Sequence, residues 1–169
     1  GQKIPTTTLS LTRLISQSAP VADLPDINDE DPCVINYTVS SGDDELGAEL
    51  THAAMLANAI TCQEMFRLSA DDKLAGVMPL FHPLGQSLAM NMALLTGATL
   101  VLVPRFTAGG VLETIQKTGI TFMAAVPGMF RALVNAETAA GSTPSLKLCL
   151  VYGGSRPAAL WHQFEAKFN

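Results

Sequence analysis

The chain has 169 residues, 48% of them hydrophobic and 15% charged, with a mean hydropathy of +0.28; a soluble domain is nearer ~25% charged. This is long enough for one domain with a real core, and the charge deficit implies apolar surface that something covers, either the missing remainder of a larger protein or a second copy in a homo-oligomer. The net charge of −5 is uneven, with 12 acids and 3 bases before Lys73 and 3 acids and 7 bases from there on, and it excludes a basic nucleic-acid stripe.

Residues 1–32 read as an irregular lead-in, with Pro5, Pro20, Pro25 and the acidic run Asp26 to Pro32. Within it, Leu9, Leu11, Leu14 and Ile15 suit a short helix or strand. Cys33 to Tyr37 is a strand candidate, followed by a polar loop, Thr38 to Gly47. Thr51 is placed to cap a helix whose Met55, Ala59, Cys62 and Phe66 fall on one face. A turn, Leu68 to Asp72, leads into the part around which the chain is organised.

From Leu74 onward, short apolar runs alternate with helix-length segments. The runs are Leu74–Leu80, Thr99–Val103, Ile120–Val126 and Leu146–Tyr152. The helical segments cover Leu84–Leu95, a stretch around Val111, Leu112 and Ile115, one around Met129, Phe130 and Leu133, and one carrying Leu160, Trp161, Phe164 and Phe168. This alternation predicts an α/β fold: an open, mostly parallel sheet of about five strands with helices on both faces, Cys33–Tyr37 included, over residues 33–169. Ligands of such sheets bind at the carboxyl ends of the strands. Those ends are Thr38, Pro79 to His82, Pro104-Arg105, Val126 to Gly128 and Tyr152 to Ser155.

The three cysteines, Cys33, Cys62 and Cys149, form no CxxC and sit in apolar settings, which fits core packing in a reducing cytoplasm. No signal peptide is recognised. The most apolar stretch, Leu84 to Val103, is broken by Gln86, Ser87, Asn91, Thr96 and Gly97, so no transmembrane segment is expected.

Three blocks, Pro79-Leu-Phe-His-Pro-Leu-Gly85, Gly97-Ala-Thr-Leu-Val-Leu-Val-Pro-Arg-Phe106 and Ile120-Thr-Phe-Met-Ala-Ala-Val-Pro-Gly-Met-Phe130, stand in the order and spacing of the AMP-forming acyl-CoA synthetases. The resemblance to this superfamily of adenylate-forming ligases runs from about Asp31 to the C-terminus and is strongest from Asp71 to Phe130. It implies that the chain is a central piece of the large N-terminal domain, truncated at its C-terminus. Intact members activate a carboxylic or fatty acid with ATP to an acyl-adenylate and then form a thioester with CoA, using Mg²⁺.

The resemblance assigns a phosphate loop to Tyr37–His52, where Tyr37, Thr38, Gly47, Ala48, Leu50, Thr51 and His52 match the family. The cofactor-binding candidates there are Thr38, Ser40, Ser41, Gly42 and Gly47. The interior departs from the pattern: Ser40 and Asp43 stand where glycines belong, Glu45 replaces a proline and Leu46 replaces a lysine. Such loops turn backbone N–H groups toward phosphate through glycines. Here the consecutive acids Asp43, Asp44 and Glu45 repel phosphate, and a solvated acidic loop of unchanged length is the favoured reading.

The substrate-binding candidates lie at the strand ends. His82 corresponds to a residue that lies against the acyl substrate in the family. Val126, Pro127 and Gly128 correspond to a Val-Pro-Thr segment lining the acyl tunnel, with Gly128 leaving the wall wider. Gly153, Gly154 and Ser155 correspond to a Ser-Gly-Gly-Ala-Pro segment beside acyl chain and adenine. Two glycines at a strand-to-helix turn also allow close approach to backbone, and a helix N-terminus favours an anion. No residue is assigned a catalytic role and no metal site is expected.

The leading expectation is an acyl-CoA synthetase fragment, inactive alone because the family's Tyr-Gly-x-Thr-Glu motif and catalytic lysine domain lie beyond this stretch. The alternatives are a non-catalytic binding or scaffold homologue with a degenerate ATP loop, and an amino-acid or aryl-acid adenylating relative.

Overall fold

A computed structural model describes residues 10–21, 23–39, 45–136, 143, 145–155 and 157–168. A short exposed helix, α1 (Leu11–Gln17), buries none of its residues. Strands β1 (Pro32–Val39) and β2 (Glu45–Thr51) form an antiparallel hairpin with Tyr37 opposite Gly47. Helix α2 (His52–Phe66) starts where Thr51 Oγ1 accepts the Ala54 N–H at 3.2 Å, the cap its side chain predicts. The acidic run also holds this start, because Asp31 and Asp29 carbonyls accept the His52 and Ala53 N–H groups at 3.2 and 2.8 Å.

Four parallel strands follow in the order β4-β3-β5-β6: β3 (Lys73–Gly76), β4 (Thr99–Leu102), β5 (Phe122–Ala125) and β6 (Leu148–Val151). Between β3 and β4 a helical segment runs as α3 (Pro83–Gly85), a π-helical turn (Gln86–Asn91) and α4 (Met92–Thr96), ended by Gly97 at φ 74°. Helix α5 (Ala108–Thr118) precedes β5 and closes on Gly119 at φ 71°, where a glycine adopts the left-handed conformation without steric cost. Helices α6 (Pro127–Asn135) and α7 (Ala158–Phe168) follow β5 and β6.

The sheet separates two apolar cores, and the strand period of two decides which residue enters which. Leu74, Phe122 and Ala124 face α2, the π turn and α4, packing with Leu84, Leu88, Met92 and Ala93. Ala75, Met123 and Ala125 face the other way, onto Val111 and Ile115 of α5, Phe130 and Leu133 of α6, and Leu160, Phe164 and Phe168 of α7. Phe130 meets Trp161 and Phe164 edge-on at centroid distances of 5.3 and 5.2 Å. This is the expected α/β architecture, with helices on both faces.

The parallel sheet has four strands rather than about five, because the segment around Cys33–Tyr37 does not join it. It pairs instead with β2, which takes the end of the expected polar loop, Glu45 to Gly47, and runs on to Thr51, so Thr38 ends no strand of the parallel sheet. A short connection makes the hairpin entropically inexpensive to close. Gly47 allows the packing across it: a Cβ there would lie 2.9 Å from Ile35 Cγ2 and 3.4 Å from Tyr37 Cε1.

Candidate functional site

The sequence at the exit from β3 sets a tight corner. The His82 N–H donates to the Pro79 carbonyl at 3.0 Å, and Gln86 N–H donates to the His82 carbonyl at 3.0 Å. His82 is the N-cap of α3, its Nδ1 accepting the Leu84 N–H at 3.1 Å. In the neutral ring the proton therefore sits on Nε2, which is left as a donor on an exposed residue. Pro83 suits the first helical position, since it has no N–H to satisfy. Gly85 is fixed by space, because a Cβ there would stand 2.2 Å from the Pro79 carbonyl oxygen. The glycine of the Pro79–Gly85 block thus lets the helix lie directly on the corner that carries His82.

Val126 is the N-cap of α6 and gives it no side-chain cap, and Pro127 opens the helix. Gly128 is exposed, and a Cβ added to it would meet nothing within 4 Å. At the exit from β6, Gly153 and Gly154 lie at φ 71° and 63°. Two successive left-handed residues call for glycine, since each non-glycine there costs ~1–2 kcal/mol. Gly154 lies against α6, where an added Cβ would be 3.6 Å from Pro127 Cγ.

Since β3, β5 and β6 are parallel, their exits share one edge of the sheet. His82, Val126 to Gly128 and Gly153 to Ser155 are all found there, and among them His82, Gly128, Gly153, Gly154 and Ser155 are exposed. A cleft of about 560 Å³ opens beside His82, walled by Cys62 of α2, Leu84, Leu88 and Tyr152, with Asn58 and Ser87 at its side. The hairpin reaches the same region, where Asn36 Nδ2 donates to Gln86 Oε1 at 3.4 Å. Of the phosphate-loop candidates, Ser40, Ser41 and Gly42 lie outside the described residues, as do the acids Asp43 and Asp44. Thr38 and Gly47 are hairpin residues on opposite strands.

Asn58, Cys62, Ser87 and Leu88 line this cleft but were not read from sequence as site residues; Cys62 was read as core packing and Ser87 only as a break in an apolar stretch. The available signal was that Ser87 interrupts an apolar helix and Asn58 interrupts the turns between Met55 and Cys62. Burial raises the Cys62 thiol, which weakens it as a nucleophile.

The opposite end of the sheet carries a polar cluster that also escaped the sequence reading. Asp72, 4% exposed, accepts the Ser69 N–H at 2.9 Å, the Thr121 hydroxyl at 2.9 Å and Lys147 Nζ at 3.1 Å. It binds the start of β3 to the segments entering β5 and β6, far from the edge that carries His82. Among the described residues no group of three His, Cys, Asp or Glu side chains is gathered that would hold Mg²⁺.

Comparison with known proteins adds the family. Residues 4–169 match the model of the AMP-binding enzymes. Curated relatives include the indoleacetate–CoA ligase of Aromatoleum aromaticum, 33% identical over 110 residues, which are 65% of this chain and 22% of that protein. The feruloyl-CoA synthase of an Amycolatopsis species is 30% identical over 139 residues, covering 82% of this chain and 28% of that one. The chain thus spans between 22% and 28% of the length of these two relatives. Among solved structures, O-succinylbenzoate coenzyme A synthetase of Bacillus subtilis in complex with AMP superposes with a TM-score of 0.83 at 23% identity, over 95% of this chain and 33% of that one. ATP-bound MatB from Rhodopseudomonas palustris gives 0.81 at 22% identity, over 94% and 31%. These two likenesses establish the fold.

Proposed function

We propose, from the premise that this chain belongs to the AMP-binding enzyme family, that it forms the central α/β portion, residues 33–169, of a ligase that joins a carboxylic acid to CoA through an acyl-adenylate. The family is one of adenylate-forming acyl- and aryl-CoA ligases, and its members include the indoleacetate–CoA ligase and the feruloyl-CoA synthase to which this chain is similar. The observation that carries the reading is the meeting of His82, Val126–Gly128 and Gly153–Ser155 on one sheet edge beside a cleft.

Each part has a role in that reaction. His82 Nε2–H is an open donor, suited to the carboxylate of the acid before it attacks ATP. Helix α6 presents its positive end at Gly128 with no side chain capping it, and this favours the anionic carboxylate or adenylate. The backbone at Gly153 is bare, with nothing within 4 Å of a Cβ position, so a flat ligand can lie directly against it. ATP supplies the adenylyl group, and CoA takes the acyl group from the adenylate with release of AMP.

The test is acid-dependent release of pyrophosphate from ATP by the full-length protein that contains this chain. The expected result is turnover with at least one aliphatic or aryl acid, and a loss of ~10²-fold or more in His82→Leu, as for removal of a positioned general donor. The 169-residue chain alone is expected to release none. Full-length protein that binds acid without releasing pyrophosphate would replace the ligase reading with a binding module whose phosphate loop, altered at Ser40, Asp43, Glu45 and Leu46, no longer holds ATP.

A further inference from the structure

We propose that this site favours the second of the ligase's two steps: it transfers the acyl group of an acyl-adenylate to CoA efficiently and holds ATP poorly, so that adenylation here is slow. The inference rests on the ligase reading and deepens it.

The hairpin end is where a triphosphate does not fit. A proline at position 45, as the family pattern has it, carries no N–H for a ladder. Glu45 removes that stop, and the pairing of β1 with β2 runs out to Val39 opposite Glu45. Leu46 is thereby drawn into the ladder opposite Thr38, and it is 60% exposed. An apolar side chain stands there in place of an ammonium group. In sequence, Glu45 also ends a run of three acids begun by Asp43 and Asp44. This end of the hairpin belongs to the site region: Asn36, three positions or ~10 Å before Val39, meets Gln86 just past the His82 corner. Acids without a lysine repel the β- and γ-phosphates of ATP.

The strand ends have suffered no such change. Gly153 and Gly154, exposed at φ 71° and 63°, leave bare backbone for a flat base. Helix α6 starts beside them with no side-chain cap, which suits a single phosphate. An acyl-adenylate has one phosphate and a single negative charge, and it lacks the two phosphates that the hairpin end repels. The transfer step needs neither of them. The CoA sulfur bonds to the acyl carbonyl carbon, and the bond from that carbon to the adenylate oxygen breaks. AMP leaves with the electron pair, and the thiol proton passes to water.

The experiment uses the full-length protein with CoA and follows acyl-CoA formation along two routes. One starts from octanoate or phenylpropanoate with ATP and Mg²⁺, the other from the corresponding synthetic acyl-adenylates. The unaltered protein is expected to use the acyl-adenylate at least about tenfold better in kcat/KM, with a KM for ATP above ~1 mM, the upper end of the usual range. Glu45→Gln combined with Leu46→Lys should lower the KM for ATP by about tenfold and leave the acyl-adenylate route within about twofold. Thermal melting confirms that the variants are folded, and Leu46→Lys alone, at an exposed position, should move the ATP route in the same direction. A KM for ATP below ~1 mM in the unaltered protein, or variants that change both routes alike, would overturn the inference and leave the ligase reading standing. Mg²⁺-dependent ATP binding weakened by Glu45→Gln would overturn it as well, by showing that the acids hold metal-bound phosphate. If neither route gives acyl-CoA, the ligase reading itself has failed and the inference falls with it.

Discussion

Replacing Asp72 by asparagine or alanine tests what holds the strand starts together. The carboxylate is 4% exposed and accepts from the Ser69 N–H, the Ser69 hydroxyl, the Thr121 hydroxyl and Lys147 Nζ at 2.9, 3.2, 2.9 and 3.1 Å. These contacts are unequal. The Lys147 side chain is 67% exposed, so its ion pair contributes ~0–1 kcal/mol. A hydrogen bond from buried Thr121 or the Ser69 N–H to the charged oxygen contributes ~1.5–3 kcal/mol before relaxation. Thr121 can turn toward the Lys73 carbonyl, 3.4 Å away, and recover part of its loss. Asp72→Ala should therefore cost ~2–4 kcal/mol, Asp72→Asn somewhat less, and Lys147→Met under ~1 kcal/mol.

The same residue gives a pH signature. Burial pushes its carboxyl up, but hydrogen bonds from Ser69, Lys147 and Thr121 outweigh burial and hold it below its ordinary value. A carboxyl held low in the folded state adds stability above its unfolded pKa, and that stability is lost as pH falls through the folded value. The gap between wild type and Asp72→Asn should be full at about pH 7 and shrink as pH falls below about 4. Urea unfolding at several pH values measures both. A Lys147→Met cost equal to that of Asp72→Ala, or a gap independent of pH, would show that the exposed ion pair, or packing alone, does what is ascribed here to the buried hydrogen bonds.

Other substitutions bear on the site edge. Gly85→Ala should cost ~3 kcal/mol or more, since its methyl meets the Pro79 carbonyl at 2.2 Å and backbone must move; thermal melting reads it. Gly128→Ala should instead raise stability by ~0.5–1 kcal/mol, because the position is helical and open. Cys149, whose thiol burial pushes up to about 12, should resist alkylation under native conditions, while exposed Cys33 is labelled; peptide mass mapping distinguishes them. Restoring the phosphate-loop pattern with Ser40→Gly, Asp43→Gly, Glu45→Pro and Leu46→Lys should raise ATP affinity in calorimetry, since like charges ~4 Å from phosphate cost about 1 kcal/mol each even in water. Micromolar ATP binding by the unaltered loop, lost on mutating Ser41, would contradict that.

What sequence alone determined were features settled within a few residues of themselves. Thr51 caps α2 because its hydroxyl reaches an N–H three residues on. Gly97 and Gly119 end helices because glycine takes the left-handed conformation. Gly153 and Gly154 mark the turn after β6 for the same reason. Each apolar run from Leu74 onward gave a strand, β3 at the start of its run, and the parallel sheet put His82, Val126–Gly128 and Gly153–Ser155 on one edge. Tertiary structure decided everything that depends on a partner far along the chain. Whether Cys33–Tyr37 joined the parallel sheet or a hairpin depended on the competing strand β2, and the nearer partner closes the shorter loop. Asp72 looked like a turn residue because Thr121 and Lys147, which make it a buried clamp, are 49 and 75 positions away. Asn58 and Ser87 are each ordinary polar residues on a helix until α2 and the π turn pack together. Their meeting follows from packing between elements, which no local period encodes.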